Sequence, residues 1–548
     1  YGTTVYQGDN RFSLRGIQFF QHKIEFRKKD KFFIRAYATH EDAGDSYDPY
    51  FTAQKMLEAA GKNESWRNSY EEWWTRNALG AVFNKMKALG YPNTDVQNDQ
   101  IQWQIDNKEK LIDWHRQAEE YANSANKTHK TLDYFEPGTP RYDSLFNSIV
   151  SRKNNSIENG TRFFDKSALF HVHGEYKFTT DFFKELVIGA NGRLYKPFTE
   201  GTIFSDSISR ISNSEFGIYG CASKQLGYFT LTVASRLDKN QNFNFLFSPA
   251  GSVVWKPSEN NYLRASFSSA IRNPTLSDQY LDLRVGPARL IGNINGFNDL
   301  VTLESFRKSS EFKDTLVSIN IPAIQPEKVK TFEVGYRTTL FEKLFVDASA
   351  FLNIYNDFIG YQIGLDIPLD TFLIPGLPPT VTRDFAKTKV YRVASNSQEI
   401  VTSRGFAIGL NYYFQKYYSF NGNYSFNELV TSVKDDIVPA FNTPKHKYNV
   451  GISGRDIPLG SGKNSLGFNV NYKWIQGFVF EGSPQFTGAI PTYDLVDVQV
   501  NYTLAKQNLV IKAGASNALN NKQFQTYGGP RIGRMAYLTL TYDFKSKI

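Results

Sequence analysis

The stretch GFAIGLNYYF, residues 405–414, decides the fold of this chain. Its even-numbered residues are aromatic or branched aliphatic, and its odd-numbered residues are mostly small or polar. Successive side chains of a β-strand point to opposite faces, so the alternation predicts a strand with one apolar and one polar face. The same period of two recurs at 466–474, 496–504 and 536–544.

The strands predicted in this way are unusually long. Many run for roughly 10 to 14 residues, against the five or six that are usual, and aromatic residues gather near their ends, as at Tyr412 and Tyr413. Apolar-out, polar-in alternation with aromatic girdles is typical of a transmembrane barrel. No run of uncharged apolar residues is long enough to form a membrane-spanning helix. The prediction is an all-β transmembrane antiparallel β-barrel, with a soluble all-β enzyme as the alternative.

Composition excludes several other classes. The 548 residues include 45 Phe, 32 Tyr and 7 Trp, and the mean hydropathy is −0.43. The single cysteine, Cys221, excludes a disulfide scaffold and a thiolate metal cluster. The net charge is +9, but the Lys and Arg residues are dispersed and mostly lie beside Asp and Glu. No nucleic-acid partner is therefore expected.

The links between predicted strands alternate between short and long. Lys28-Lys29-Asp30 and Gln415-Lys416 are short links, whereas 271–327 and 359–387 are long. Outer-membrane barrels have short periplasmic turns and long extracellular loops, so we expect Lys29 on the periplasmic side. Keeping this alternation gives about 17 strands, one of them from 388 to 414, and places residues 1–15 in an extracellular loop.

A helical block interrupts the strands. Trp66, Trp73 and Trp74 belong to a pattern with a spacing of three to four residues, which predicts helices. The chain is therefore divided into the first strands at 1–42, a helical extracellular insertion at 43–166 and the remaining strands at 167–548. The three tryptophans form the small core of the insertion or, alternatively, face a ligand or a docking partner.

Candidate ligand-binding residues lie in the long link 271–327. Loops of this length inside a compact domain are usually functional or disordered. The polar, charged and aromatic residues that could reach a ligand are Arg272, Tyr280, Arg284, Arg289 and Asn293. The alternative for each of them is an ordinary solvated loop position.

No catalytic motif is present. The sequence has no phosphate-binding glycine loop of the Gly-x-x-x-x-Gly-Lys-Ser/Thr type and no His-Glu-x-x-His. His171 and His173 share one face of a strand, but a pair without a third ligand is a weak metal signal. We expect no enzyme, no metal and no cofactor.

Several segments in order resemble the barrel of TonB-dependent outer-membrane receptors, of the kind common in Bacteroidetes. The resemblance covers about residues 240–544, and at 406–407 Phe-Ala replaces the family's usual Val-Glu. The segments that carry it are YLRASFSSAIRNPTL at 262–276, PEKVKTFEVGY at 326–336, FLNIYNDF at 351–358, SRG at 403–405, NTPKH at 442–446, SNALN at 516–520 and GR at 533–534.

The resemblance implies a 22-stranded barrel in the outer membrane of a Gram-negative cell, with a plug folded inside it. Members import scarce nutrients, such as an iron chelate, haem, a vitamin, a glycan or a peptide. Their energy comes from the inner-membrane TonB–ExbB–ExbD complex acting through the plug. This chain shows no recognisable plug, and about five strands of the family's barrel are also expected to be missing. The resemblance implies a structural role for Arg272, Asn273 and Pro274, at the end of a strand beside the plug.

A second function remains open. A receptor-like barrel can act as a binding or scaffold subunit of an outer-membrane complex, and the helical insertion is the feature that favours it. A surface lipoprotein or another partner would then dock at the insertion, and outer-membrane lipid would surround the barrel.

Overall fold

The structure is a computed structural model. It describes residues 2–7, 11–60, 63–90, 97–125, 135–285, 288–312, 316–372, 380–383, 388–430, 437–439, 441–460, 463–482, 487–527 and 529–544. Within these ranges, no helix combines the length and the apolar character needed to cross a membrane.

Strands make up most of the described chain. Numbered along the sequence they are β1 Gly2–Gln7, β2 Arg11–Lys28, β3 Phe32–Asp42, β4 Ala168–Phe178, β5 Glu185–Lys196, β6 Asn213–Leu226, β7 Phe229–Asn240, β8 Leu246–Ser258, β9 Asn261–Arg272, β10 Asp282–Val285, β11 Ala288–Ile291, β12 Phe297–Thr302, β13 Ser318–Ile321, β14 Glu327–Leu340, β15 Leu344–Asn356, β16 Ile359–Asp366, β17 Leu369–Phe372, β18 Thr380–Arg383, β19 Lys389–Asn396, β20 Val401–Gln415, β21 Tyr418–Leu429, β22 His446–Pro458, β23 Ser465–Ile475, β24 Phe478–Phe480, β25 Gly488–Ile490, β26 Tyr493–Leu504, β27 Leu509–Ser516, β28 Gln523–Phe524, β29 Arg531–Ile532 and β30 Met535–Tyr542.

Helices are fewer. They are α1 Pro49–Ala59, α2 Asn63–Trp74, α3 Gly80–Ala88, α4 Gln97–Asp106, α5 Lys108–Ala125, α6 Pro140–Ser151, α7 Leu276–Tyr280 and α8 Leu303–Phe312, with a π-helical turn at Thr75–Leu79 and a 3₁₀ turn at Ala505–Gln507.

One large antiparallel sheet dominates, with 18 strands in the described residues. Each strand pairs with the next along the chain from β1 to β9, then β9 pairs with β14, β15 with β20, β23 with β26 and β27 with β30. The predicted strand at 405–414 lies inside β20, where Leu410 is opposite Val346 on β15 and Gly422 on β21. The all-β, antiparallel prediction is confirmed.

The two faces of the sheet differ in chemistry, as the alternation predicts. On β20, Phe406, Ile408 and Tyr412 are exposed large hydrophobic residues on one face. The opposite face carries the charged pairs, for example Arg337 with Asp347 at 2.5 Å and Lys473 with Asp497 at 2.6 Å. We call these the apolar face and the polar face.

Short hairpins join the strands at one end of the sheet. They connect β2 to β3, β4 to β5, β6 to β7, β8 to β9, β14 to β15, β20 to β21, β22 to β23 and β26 to β27. The predicted short links at Lys28-Lys29-Asp30 and Gln415-Lys416 are among them. Because the sheet is antiparallel, all eight turns lie at the same end. We call this end the short-turn rim.

Three predictions about the strands are wrong. Residues 1–15 are not all loop: β1 pairs with the start of β2, with Gly2 opposite Ile17 and Gln7 opposite Arg11, and the sheet has 18 strands where about 17 were predicted. Residues 388–414 form two strands, β19 and β20, in two different sheets. The links 271–327 and 359–387 also contain strands, because they pair with each other across a long sequence separation that no local pattern reveals.

Strands from those two links, together with β19, build a second, six-stranded sheet in the order β10-β11-β19-β16-β12-β13. Its β11 and β19 are parallel, with Ala288 opposite Val390. Leu300, Ile321 and Val393 form one buried hydrophobic cluster of this sheet, and Val301, Leu365 and Ile367 form another. The sheet therefore has a core of its own.

The chain divides into two compact units. The larger comprises residues 20–40, 167–197 and 210–548, and the smaller comprises 1–19, 41–166 and 198–209. In the smaller unit Asp48 caps α1 by accepting a hydrogen bond from the Phe51 N–H at 2.9 Å, and Thr139 caps α6. The predicted divisions at 42 and 166 remain a prediction about domains, but helices α1–α6 all lie between them.

Candidate ligand site on the polar face of the sheet

A cavity of about 530 Å³ opens on the polar face, at the ends of β5, β6 and β7 that lie away from the short-turn rim. Residues two apart on a strand share a face, which brings Arg193 and Tyr195 of β5 into the cavity together with Glu215 of β6. The segment after β9, from Asn273 to Gln279, closes another side. The cavity is therefore a product of strand register and one loop.

Two arginines in the cavity are neutralised by carboxylates. Arg193 is directly opposite Glu215 in the strand register, and its guanidinium donates to the Glu215 carboxylate at 2.8 Å. The Tyr195 hydroxyl donates to the same carboxylate at 3.2 Å. Charge-assisted hydrogen bonds of this kind hold both side chains in fixed positions.

The second arginine is held in a similar way. Arg236 donates to Asp238 at 2.6 Å and to the Asn191 side-chain carbonyl at 2.7 Å. A Cβ at Gly217 would lie 2.2 Å from the Arg236 Nη2 atom, so a larger residue there would displace this guanidinium. The cavity thus carries balanced charge, with amide and hydroxyl groups around it.

A network of buried amides supports the loop that closes the cavity. Asn240 donates to the Asn213 carbonyl at 2.8 Å, and Asn213 donates to the Gln279 carbonyl at 3.2 Å. Gln279 in turn donates to the Pro274 backbone carbonyl at 2.7 Å. All three side chains are almost fully buried. They fix helix α7 against the ends of β6 and β7.

One acceptor in the cavity is unused. The Asn273 side-chain carbonyl is buried and has no hydrogen-bond partner among the described residues, while its amide donates weakly to Glu215 at 3.4 Å. An unpaired buried acceptor is unfavourable, so a ligand donor at this point would be stabilised.

A second cavity of about 590 Å³ adjoins the first on the same face and contains the predicted histidine pair. His173 is held between Arg35 at 3.2 Å and the Tyr219 hydroxyl at 2.8 Å. His171 is 8% exposed, and neither ring nitrogen has a partner among the described residues. Within that part of the chain no three His, Cys, Asp or Glu side chains are grouped to hold a metal ion.

The predicted loop residues are not brought into one site. Arg272 ends β9 and lies 3.7 Å from Glu327, and Arg289 forms two hydrogen bonds with Asp282 in the six-stranded sheet. Tyr280 accepts a hydrogen bond from Asn242 beside the cavity, at 2.6 Å. Arg284 is exposed on β10. Whether any of these four binds a ligand stays a prediction.

Asn293 has a different environment from the other predicted residues. It is fully buried, and its amide donates to the backbone carbonyls of Pro322 at 2.7 Å and Ala394 at 2.8 Å. These contacts join the segment after β9 to β19, two parts of the chain that build the six-stranded sheet.

The three tryptophans predicted as candidate site residues, Trp66, Trp73 and Trp74, lie on helix α2. Trp66 stacks on Tyr70 with ring centroids 5.1 Å apart, and Trp74 stacks on His115 of α5 at 4.3 Å. Trp73 is half-buried on the same helix. The Trp66 indole N–H donates to the Asn123 side-chain carbonyl of α5 at 2.9 Å, so Trp66 and Trp74 both contribute to the packing of α2 against α5.

Sequence reasoning missed the residues that line the cavity. Arg193, Glu215 and Arg236 lie inside strands, where a charged residue in an alternating pattern predicts only the polar face. The signal available was the pairing of opposite charges at strand ends that lead into long links. It becomes specific only when the register is known.

A protein-family model matches most of the chain. The family model described as TonB dependent receptor-like, beta-barrel matches residues 23–518. No curated protein sequence matches the chain.

Solved structures similar to the chain include three receptors or transporters. The siderophore receptor PirA from Acinetobacter baumannii is 14% identical, with 71% of this chain and 57% of that chain covered and a TM-score of 0.51. A point mutant of the ferric enterobactin receptor PfeA from Pseudomonas aeruginosa is 13% identical, with 98% and 62% covered and a TM-score of 0.53. The apoprotein form of the FrpB iron transporter from Neisseria meningitidis is 12% identical, with 97% and 66% covered and a TM-score of 0.52.

The chain spans less than two thirds of the length of each of these proteins. At such low identity the likeness concerns the fold, which is that of the barrel.

Proposed function

Because the chain belongs to the TonB dependent receptor-like β-barrel family, we propose that it forms the barrel wall of a transporter that imports a scarce nutrient. Family membership also places the chain in the outer membrane. The energy for import comes, in this proposal, from the inner-membrane TonB–ExbB–ExbD complex. The family consists of receptors and transporters, and we propose that the chain itself catalyses no reaction.

The observation that carries the proposal is the cavity beside Arg193 and Arg236. It lies on the polar face, which lines the interior in a barrel of this class. It is at the end opposite the short turns, and short turns are periplasmic in outer-membrane barrels. A nutrient arriving from outside would meet this end first.

The charge and polarity of the residues that line the cavity indicate which class of nutrient it would bind. The named solved structures are receptors or transporters for siderophores, ferric enterobactin or iron, whereas the candidates here include an iron chelate, haem, a vitamin, a glycan and a peptide. Both arginines are already paired with carboxylates, so the cavity offers little uncompensated positive charge. This favours a neutral ligand rich in hydrogen-bonding groups, such as a glycan or a peptide.

Uptake by whole cells tests the proposal. The probes are a ferric catecholate, haem, cobalamin, an oligosaccharide and a tripeptide, each labelled and each measured with and without an uncoupler of the inner-membrane proton gradient. We expect one probe to accumulate, and we expect its accumulation to stop with the uncoupler. Accumulation that the uncoupler leaves unchanged would show a passive pore and refute the proposal.

A variant of the cavity makes the test specific. Asn273→Ala removes the unused acceptor and should lower uptake of that probe several-fold without changing the amount of protein in the membrane. Asn68→Ala, an exposed asparagine on α2, is the matched control and should have no effect. Equal uptake by both variants would remove Asn273 from the site.

The scaffold function remains a second candidate because helices in the smaller unit keep apolar side chains exposed. Leu79, Phe83, Ile105 and Ile112 are each exposed by roughly two fifths or more. Under this proposal a surface lipoprotein copurifies with the protein and is lost in the double variant Phe83→Ser with Ile112→Ser, whereas uptake of every probe stays at background. Uptake that depends on Asn273, with no lipoprotein bound, would reject it.

A further inference from the structure

Lysines cluster at the short-turn rim. Each of its eight turns carries at least one lysine, either in the turn or within three residues of it. In chain order they are Lys28, Lys29, Lys31, Lys177, Lys184, Lys224, Lys256, Lys343, Lys416, Lys463 and Lys506. By the same criterion the turns carry only six carboxylates, Asp30, Asp181, Glu185, Glu259, Glu342 and Asp456. The rim therefore carries an excess of positive charge.

The turns are physically adjacent. Backbone hydrogen bonds join neighbouring hairpins at the rim: the N–H of Lys177 donates to Lys31 at 2.7 Å, that of Lys256 to Tyr228 at 2.8 Å, and that of Tyr413 to Lys343 at 2.9 Å. The lysines thus form one continuous belt along the edge of the sheet, and not a set of separate surface charges.

These lysines differ from the cations of the polar face. On that face Lys473 and Arg337 have carboxylate partners at 2.6 Å and 2.5 Å. Of the eleven rim lysines, Lys177 forms an ion pair with Glu185 at 2.8 Å, and the other ten have no carboxylate partner in the part of the chain that the structure describes. A row of ammonium groups without carboxylate partners attracts anions from outside the chain.

The apolar face meets the rim beside these lysines. Phe182, Tyr228 and Phe341 are 63%, 69% and 88% exposed. The Lys224 ammonium lies 3.2 Å from the centre of the Phe182 ring, a cation–π contact on the apolar face. Aromatic rings at a membrane–water boundary lie at the level of the lipid headgroups. The lysines are therefore at headgroup level.

We propose that the lysine belt binds the phosphates of anionic phospholipids in the leaflet that surrounds the short-turn rim. The belt follows all eight hairpins, as a membrane boundary does, whereas a protein partner would cover one sector of it. Anionic headgroups attract basic side chains at the membrane surface, and such attraction weakens with salt. Phosphatidylglycerol is the simplest phospholipid with this chemistry.

Electron paramagnetic resonance with spin-labelled lipids tests the proposal. The protein is reconstituted in phosphatidylcholine vesicles with traces of spin-labelled phosphatidylglycerol or spin-labelled phosphatidylcholine, and the fraction of label immobilised at the protein is compared. We expect a several-fold preference for phosphatidylglycerol that high salt reduces. Equal immobilisation of the two lipids would overturn the proposal.

Matched variants assign the preference to the belt. The triple variant Lys224→Gln, Lys256→Gln and Lys343→Gln should lose most of the preference. The control triple variant Lys85→Gln, Lys87→Gln and Lys108→Gln removes the same charge from exposed positions on helices α3 and α5 and should keep it. Retention by both variants would refute the proposal, and so would a preference shown only for lipopolysaccharide, whose phosphates lie in the other leaflet.

Folding is checked on each variant by its heat-dependent migration in gels. If the rim triple variant does not fold, the single variant Lys343→Gln should show a smaller loss of preference, and an unchanged value would overturn the proposal. Nutrient uptake does not enter this measurement, so it fails or succeeds independently of the transport function.

Discussion

Replacing Leu410 by arginine should destabilise the barrel, whereas the same replacement at the next residue should not. Leu410 is on the apolar face of β20, and Asn411 is on the polar face. Leu410 is five residues from the end of the strand at Gln415. With about 3.3 Å per residue and a strand tilt near 40°, it lies ~13 Å from the turn. The apolar band of such a barrel is about 25 Å tall, so Leu410 is close to the bilayer midplane.

An arginine on the lipid face at this depth costs about 2–4 kcal/mol. Arginine at 411 enters a water-accessible face that already carries charged pairs, and its effect should stay within about 0.5 kcal/mol. The measurement is reversible urea unfolding of each variant in lipid vesicles, with the parent protein as reference. The comparison isolates the face of the strand, because depth and introduced side chain are nearly the same.

The pattern of results decides between three cases. A large loss for Leu410→Arg alone supports the assignment of faces. A large loss for Asn411→Arg alone would mean that the faces are inverted. No loss for either would mean that β20 does not face lipid, which would refute the reasoning from the alternation.

Three further predictions concern topology, the six-stranded sheet and the helices of the smaller unit. Lys29→Cys in a Cys221→Ser background should stay unlabelled in intact cells treated with a membrane-impermeant maleimide, whereas Arg284→Cys should react; strong labelling at Lys29 would reverse the topology. Asn293→Ala removes the amide that donates to the buried carbonyls of Pro322 and Ala394, at a cost in stability of about 1–3 kcal/mol. Limited proteolysis should therefore cut the six-stranded sheet faster than in the parent protein. An unchanged rate would contradict this role of Asn293. Burial raises the pKa of Tyr70, so its contribution to stability is complete below the ordinary tyrosine pKa and is lost as pH rises past the raised value. We therefore expect the stability of the parent protein to fall more steeply at alkaline pH than that of Tyr70→Phe, when unfolding is followed by circular dichroism. Identical pH profiles for the two proteins would show that Tyr70 makes no such contribution.

The alternation of residues was enough to predict the wall of the barrel. A barrel strand such as β20 has one face in contact with lipid and the other in contact with water, so apolar and polar residues alternate along 405–414. Strand β1 was missed because its pairing with β2 extends a strand already counted, and six residues carry too little pattern.

The six-stranded sheet and the cavity could not be predicted. The pairing of Ala288 with Val390 joins residues about 100 positions apart, and neither segment has a strand pattern long enough to identify alone. The cavity depends on register: Arg193 meets Glu215 only because β5 and β6 are aligned in that way. A shift of β5 by one residue would turn Arg193 to the other face, away from Glu215.

The six-stranded sheet also sets a condition on folding and on engineering. Its strands come from two loops on either side of the hairpin β14–β15, so formation of that hairpin brings the ends of the loops together and favours their pairing. Contacts between distant segments form late because the connecting chain has to be ordered first. A chimera that takes one loop from a related protein would separate β11 from its partner β19, and a functional exchange has to transfer both loops as one piece.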